Sequence, residues 1–535
     1  MNDVPVLVVG AGPVGLVTAL ELAARGIRTL VVERCIETTR HPKMDVTNCR
    51  SMEHFRRLGI AERIRDAAVP RAHCMDVAWV SGMSEWELAR FQYPDVHQWR
   101  QDIRTQNDGS QPLEPNMRMS QVVLEPVLRD LLSASPLVET RYGWALEGLT
   151  QDASGVTAEI RELNTDRRET VRSALVAGCD GGWSQVRQSL GIECEGRWNI
   201  LPFYMVHFRT PNCRALQPHG IAWHYQWPLG GTLIAQDDEE IFTLHVVLPP
   251  GADPGSIDPQ TLLYQSLGFE IPCEILQANP WSPHLVVADR YGEGRVWMAG
   301  DAVHQYIPTG GYGMNTGVCD AVDLAWKFAA VLQGWGGPHL LPSIEAERRP
   351  IALVNRDIAG RHMDVRLKIL ERYSAAIHQD TTEGAAARAR YGDFIRDLGN
   401  AENESLGIEL GYRYRDSPIV CAEPNEPEWQ LLNYVPSTWP GCRAPHVFLE
   451  SGEALFDRFG SGFTLLRFAD IDTTDISNAA QARGVPLTVL DVRDANARRI
   501  YERDLVLVRP DQHVGWRGDA LPADPNSVID KLRGA

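Results

Sequence analysis

The chain of 535 residues lacks a C-x-x-C pair, a surplus of basic residues and any apolar run long enough to span a bilayer. Its ten cysteines (35, 49, 74, 179, 194, 213, 273, 319, 421 and 442) are scattered. Neither a zinc knuckle nor a dithiol redox pair is expected from them, and their usage fits a reduced cytosolic protein. The most apolar N-terminal stretch has no basic leader and is broken by Gly10, Gly12, Pro13, Gly15 and Glu21, which argues against a signal peptide or a span and predicts a cytoplasmic protein. Fifty-two Lys and Arg against 70 Asp and Glu give a net charge of -18, so neither nucleic acid nor a membrane surface is an expected partner. Histidines and acids do not cluster at ligand spacing, and no metal site is expected. What remains is an ordinary globular composition, 44% hydrophobic and 23% charged, with no internal repeat and length for two to four domains and a ligand cleft.

Residues 4–34 read VPVLVVGAGPVGLVTALELAARGIRTLVVER. Val6–Val9 predicts a buried strand, Gly10-x-Gly12-x-x-Gly15 follows at once, and Leu16–Arg25 has helical apolar spacing. Gly26 ends that helix, and Thr29–Val32 is a second strand leading to Glu33. Glycines in this pattern permit a tight turn and close backbone approach, with the helix N-terminus facing a pyrophosphate and Glu33 placed to accept both hydroxyls of an adenosine ribose. A carboxylate there repels a 2′-phosphate, so the unit should hold FAD or NAD rather than NADP. Its expected contacts are Gly10, Gly12, Pro13, Gly15, Glu33 and Arg34. A second stretch, RVWMAGDAVHQYIPTGGYGMNTG (295–317), sets a short buried strand before a glycine-rich loop, which suggests a second binding loop.

The stretch LVAGCDGGWSQVRQSLGI (175–192) resembles the D-G motif of flavoprotein aromatic hydroxylases, and 295–317 resembles their G-D motif. With the fingerprint they stand in the family's order. The resemblance implies FAD, with Asp180, Gly300, Asp301, Pro308, Gly311, Gly313, Met314 and Asn315 around it. It places Asp301 on the ribityl or ribose region and the glycine loop against the pyrimidine side of the isoalloxazine. NCRSMEHFRRLGI (48–60) is similar to the segment that would bring Arg50 near the flavin phosphates, and SQVVLEPVLRDLL (120–132) to the one whose Gln121 touches FAD. Cys179 and Trp183 depart mildly from the motif.

The fold expected is α/β: a Rossmann-like (GR2-type) FAD-binding domain from 1–75, 110–200 and 285–370, with 76–109 and 201–284 inserted as a substrate domain. Alternating patterns at 203–208, 220–227, 231–236 and 241–248 predict its antiparallel strands. Helices are expected at Thr316–Leu332 and Pro342–Arg372, a helical connection at 371–430, and a β, α, β, β module at 431–535. That module resembles the thioredoxin-like domain of the larger phenol and polyketide hydroxylases. Without C-x-x-C it has no expected redox role, which leaves packing or pairing into a homodimer.

Only one dinucleotide fingerprint is present, so the resemblance implies NAD(P)H as a transient co-substrate. The implied reaction is hydroxylation of a phenolic or hydroxylated heteroaromatic small molecule by O2 through a flavin C4a-hydroperoxide. The catalytic candidates are Asp45, at the spacing before Arg50 where phenol hydroxylase carries an active-site aspartate, and Pro308 beside the reacting flavin edge. His224 or Tyr225 joins them, since strand alternation turns one of the two toward the cavity. Their bland readings are a solvated loop aspartate and a satisfied core histidine. Trp223 and Trp227 could wall an aromatic pocket. A halogenase is disfavoured by the absence of W-x-W-x-I-P, while a flavin-binding protein without turnover stays open.

Overall fold

A computed structural model describes residues 2–535. The apolar run Val6–Val9 is at most 4% exposed because its strand, Asn2–Val9, is covered on both faces in the middle of an eight-stranded sheet. Parallel neighbours Arg168–Gly178 and Thr29–Glu33 flank it, followed outward by Val296–Met298 and Val138–Tyr142. The hairpin Trp144–Asp152 and Gly155–Glu162 joins at the side of Arg168–Gly178. Helices Pro13–Ala24 and Tyr312–Leu332 pack against each other on this sheet. The second helix begins at Tyr312 rather than Thr316, because Gly311 serves as its cap at φ 65 and Gly313, Met314 and Asn315 join its first turn. No helix among the described residues is long and apolar enough to cross a membrane.

A second sheet has seven strands, in the order Glu274–Trp281, Phe203–Arg209, Ile241–Val247, Gly231–Ala235, His224–Trp227, Val77–Val80 and Glu87–Phe91. Only the contact between His224–Trp227 and Val77–Val80 is parallel. One face buries Phe208, Tyr225, Leu233 and Leu244 with the helix Pro259–Leu267. Alternation then puts His207, His224, Thr243 and His245 on the opposite face.

The last module runs Phe463–Arg467, Thr474–Ala482, Leu487–Asp491, Ala495–Tyr501, Leu505–Val508, Val514–Gly518 and Pro525–Leu532. This β-α-β-α-β-β-α order is thioredoxin-like. Two short helices escaped the sequence reading: Ala495–Tyr501, which carries Asn496, Arg498 and Arg499, and Pro525–Leu532, whose eight residues begin with proline.

Candidate active site

The turn at Gly10 can be made only by glycine. Its φ is +99, and a Cβ would lie 2.3 Å from the Cys179 carbonyl oxygen. A Cβ on Gly15 would sit 2.0 Å from the Gly10 oxygen, so this glycine lets the helix approach the strand and does not itself line the cavity. Gly12 differs: it lines the cavity, and a side chain there would meet no protein atom within 4 Å. Pro13 fills the first helical position, where no N–H is needed, and the free amides of that turn suit an anion. Glu33 accepts from the Ala11 amide at 2.7 Å and the Cys35 amide at 2.8 Å, which fixes its carboxylate at the strand end beside exposed Arg34.

These residues open on a cavity of about 1030 Å³, above the usual range of roughly 300–1,000 Å³ for a small-molecule site and roomy enough for cofactor and substrate together. Gln121, Asp180, Asp301, Pro308, Gly311, Gly313 and Met314 line it as well. Gln121 is buried, its amide given to Glu125 at 2.6 Å. Asp180 accepts from the hydroxyl of Ser184, the cap of the short helix Gln185–Ser189, at 2.6 Å and from the Gln185 amide at 2.7 Å, and burial raises its pKa. Gly300 stays behind the wall. Its φ of 65 and its amide bond to Asp320 at 3.1 Å turn the exposed Asp301 into the cavity. Asn315 also lies behind the wall, donating to the Gly311 carbonyl at 2.7 Å and the Val46 carbonyl at 3.1 Å.

Two expected site residues are elsewhere. Arg50 does not reach the cavity: fully buried, it donates to Glu53 at 2.9 Å, Gln512 at 2.7 Å and the Asp511 carbonyl at 2.7 Å. The helix Cys49–Arg57 turns Ser51 toward Asn315 and Arg50 toward the C-terminal module. The cations that line the cavity include Arg34, Lys43 and Arg129. Tyr225 faces the core side of the second sheet, where its hydroxyl donates to the Gly220 carbonyl at 2.6 Å and accepts from the Ala222 amide at 3.0 Å.

Its neighbour His224 faces the other way and donates from Nε2 to Asp45 Oδ2 at 2.8 Å, while Trp223 Nε1 donates to the same oxygen at 3.1 Å. Burial pushes the Asp45 pKa up, but the His224 hydrogen bond and the nearby Arg118 charge outweigh it and hold the carboxyl below its ordinary value. The side chain of Asp45 keeps 20% of its surface exposed and lines the cavity, so the carboxylate can still accept a hydrogen bond from a bound ligand. The other ring nitrogen, His224 Nδ1, is buried without a hydrogen-bond partner. His245, on the same sheet face, is pushed down to about 4 by burial and is neutral at neutral pH.

The sequence reading missed Gln277 and Trp281, both cavity walls on the strand Glu274–Trp281. The available signal was the spacing of Gln277, Asn279 and Trp281, which share one face. Pro280 and the polar content masked it. Trp281 Nε1 and Gln305 Nε2, also a wall residue, are buried without partners. Together with the open surfaces of Gly12 and Gly313 and the Glu33 carboxylate at the strand end, they suit a large polar ligand such as FAD.

Comparison with known proteins gives the same cofactor. Residues 3–357 match the FAD binding domain family, and residues 437–535 match the aromatic-ring hydroxylase C-terminal family. The chain is 37% identical to the FAD-dependent monooxygenase apdD of Emericella nidulans, over 97% of this chain and 88% of that protein. It is 33% identical to aklavinone 12-hydroxylase DnrF of Streptomyces peucetius, over 87% of this chain and 91% of that one. Among solved structures, the rebeccamycin biosynthetic enzyme RebC with reduced flavin superimposes with a TM-score of 0.89 at 35% identity, covering 100% of this chain and 99% of that one. The glycine turn, the strand-end acid and the aspartate loop around one cavity are thus those of a flavoprotein, and the chain belongs to the family of FAD-dependent monooxygenases that carry the aromatic-ring hydroxylase C-terminal domain.

Proposed function

We propose that the protein hydroxylates a phenolic or hydroxylated heteroaromatic ring, in natural-product tailoring or aromatic metabolism, with NAD(P)H and O2 as co-substrates. The observation that carries this reading is the Asp45 carboxylate, kept ionised by His224 and Trp223 and open to the cavity wall. When bound, FAD supplies the redox chemistry, and the chain's own residues bind, orient and desolvate the ring. Glu33 and Asp301 are the residues that would hold the ribose and ribityl hydroxyls, and the helix N-termini at Pro13 and Tyr312 offer their amides to the phosphates and the pyrimidine side.

Asp45 orients more than it deprotonates. A free phenol titrates near about 10, far above a carboxylate held below its ordinary value, so full proton transfer to Asp45 is uphill. A hydrogen bond from the ring hydroxyl to Asp45 still draws electron density onto the ring and fixes which carbon faces the flavin. Trp281 and Pro308 close the wall around that ring.

The test is oxidation of NADH and NADPH by the FAD-loaded protein with phenols, hydroxypyridines and polycyclic quinols, scoring product beside peroxide. A compound that accelerates oxidation and gains one oxygen is the expected result. FAD that stays bound while no compound stimulates oxidation or yields product would instead favour a flavin-binding protein without turnover.

A further inference from the structure

The C-terminal module ends the strand Leu505–Val508 with the turn Arg509-Pro510-Asp511-Gln512-His513, which points into the FAD-binding part of the chain. Gln512 adopts φ 67, a left-handed conformation that glycine takes freely and other residues take at a cost. It is only 2% exposed, so solvent contact does not explain a long polar side chain there. A strained backbone of this kind points to something the side chain does.

We propose that this turn is a positioning device for the FAD site, acting on the aspartate loop at two points, Gly311 and Gly300, through buried hydrogen bonds and one ring contact. In the first arm, Gln512 Oε1 and the Asp511 carbonyl each accept from Arg50 at 2.7 Å. Arg50 belongs to the helix Cys49–Arg57, whose Ser51 hydroxyl donates to Asn315 Oδ1 at 2.8 Å, while the amide of its cap Asn48 donates to the same oxygen at 2.9 Å. Asn315 in turn grips the carbonyls of Gly311 and Val46, two cavity-wall residues, the second adjacent to Asp45. One amide side chain thereby fixes Gly311 against Val46, the residue after Asp45.

In the second arm, the His513 ring lies 4.4 Å from that of Tyr414, whose hydroxyl accepts from Arg348 at 3.4 Å. Arg348 donates to Asp320 Oδ1 at 2.7 Å, and Asp320 Oδ2 accepts from the Gly300 amide at 3.1 Å and from His304 at 2.8 Å. Gly300 is the residue that turns Asp301 into the cavity. Arg509 ties the two arms together, donating to Asp511 at 2.7 Å and laying its guanidinium 4.9 Å from the centre of the Tyr414 ring. A junction that only glued the module on could be apolar, since a buried ion pair seldom adds stability over apolar packing. A hydrogen-bonded junction fixes one geometry, and the module's contribution to the enzyme is the shape of the flavin loops.

The experiment reads FAD binding and apoprotein unfolding, so its outcome is independent of whether the substrate panel succeeds. Gln512→Gly removes the acceptor while easing the backbone at this φ, which protects the fold. FAD titrated into the apoprotein is expected to bind about tenfold more weakly, the scale of one lost hydrogen bond to a charged group, with the apoprotein midpoint close to wild type. Gln512→Glu keeps an acceptor for Arg50 and is expected to restore binding. In a cycle with Asn315→Ser, the double variant is expected to bind at least about threefold more tightly than the product of the single effects would give, because both act on one chain of contacts. Wild-type FAD affinity in Gln512→Gly, affinity lost only in step with apoprotein stability, or strictly multiplicative effects in the cycle would overturn the proposal.

Discussion

Asp45→Asn is expected to lower the rate of hydroxylation by about 10²-fold, the scale for loss of a positioning contact, while FAD remains bound. The asparagine fills the same space and can still accept from His224 and Trp223 through its oxygen, so the walls stay in place. What is lost is the negative charge at the ring hydroxyl. Reduction by NAD(P)H should continue, and the missing product should appear as peroxide, which a parallel assay of nucleotide consumed and product formed will read. Because His224 and its neighbours hold the Asp45 pKa below its ordinary value, the acid limb of wild-type turnover assigned to this group should lie below the usual carboxylate range. The same depression adds stability at neutral pH, lost as pH falls through the folded-state value. A variant with unchanged product yield would remove Asp45 from the reaction.

Glu53→Gln should be the most destabilising single change, costing about 3–5 kcal/mol, as expected when one partner of a buried ion pair is removed. Glu53 accepts from Arg50 at 2.9 Å and from Arg443 Nε at 2.8 Å, and both guanidiniums are buried. The Leu113 amide adds a bond at 2.8 Å. Burial alone would raise the Glu53 pKa, but Arg443 and Arg50 overcome it and pull the group from 4.5 to about 2. The folded value is the depressed one, so the contribution is whole above the unfolded value and disappears as pH falls from 4.5 to about 2. Its size is about 3 kcal/mol. Unfolding midpoints of wild type and variant should therefore converge as pH drops through that window, whereas a constant gap would assign the stability to another group.

The parts of the site readable from sequence are those whose geometry is local. Gly10, Gly12, Pro13 and Glu33 occupy one strand–turn–helix–strand unit, and the spacing alone dictates which amides face outward. The loop around Asp301 is legible for the same reason, with glycines at positive φ at 300, 310 and 311. Gly15, Gly300 and Asn315 carry the same motifs, yet they act behind the wall, since spacing does not separate a residue that touches the ligand from one that supports it. Arg50 shows the limit more sharply. A helix residue's neighbour depends on what packs on each side, and the C-terminal turn that claims Arg50 lies more than four hundred residues away in the chain. His224 and Tyr225 could be read only as a pair with opposite faces, and the cross-strand register decided between them. The strand bearing Trp281 was hidden because its ladder is set by its partner Phe203–Arg209 more than by its own composition.

The most direct test of the account is turnover under isotopically labelled dioxygen, with a stimulating phenolic compound from the panel and the FAD-loaded protein. The account requires one labelled oxygen atom in the ring product per nucleotide oxidised, with little peroxide. Product oxygen drawn from water, or nucleotide oxidation that delivers all its oxygen to peroxide, would contradict the monooxygenase reading.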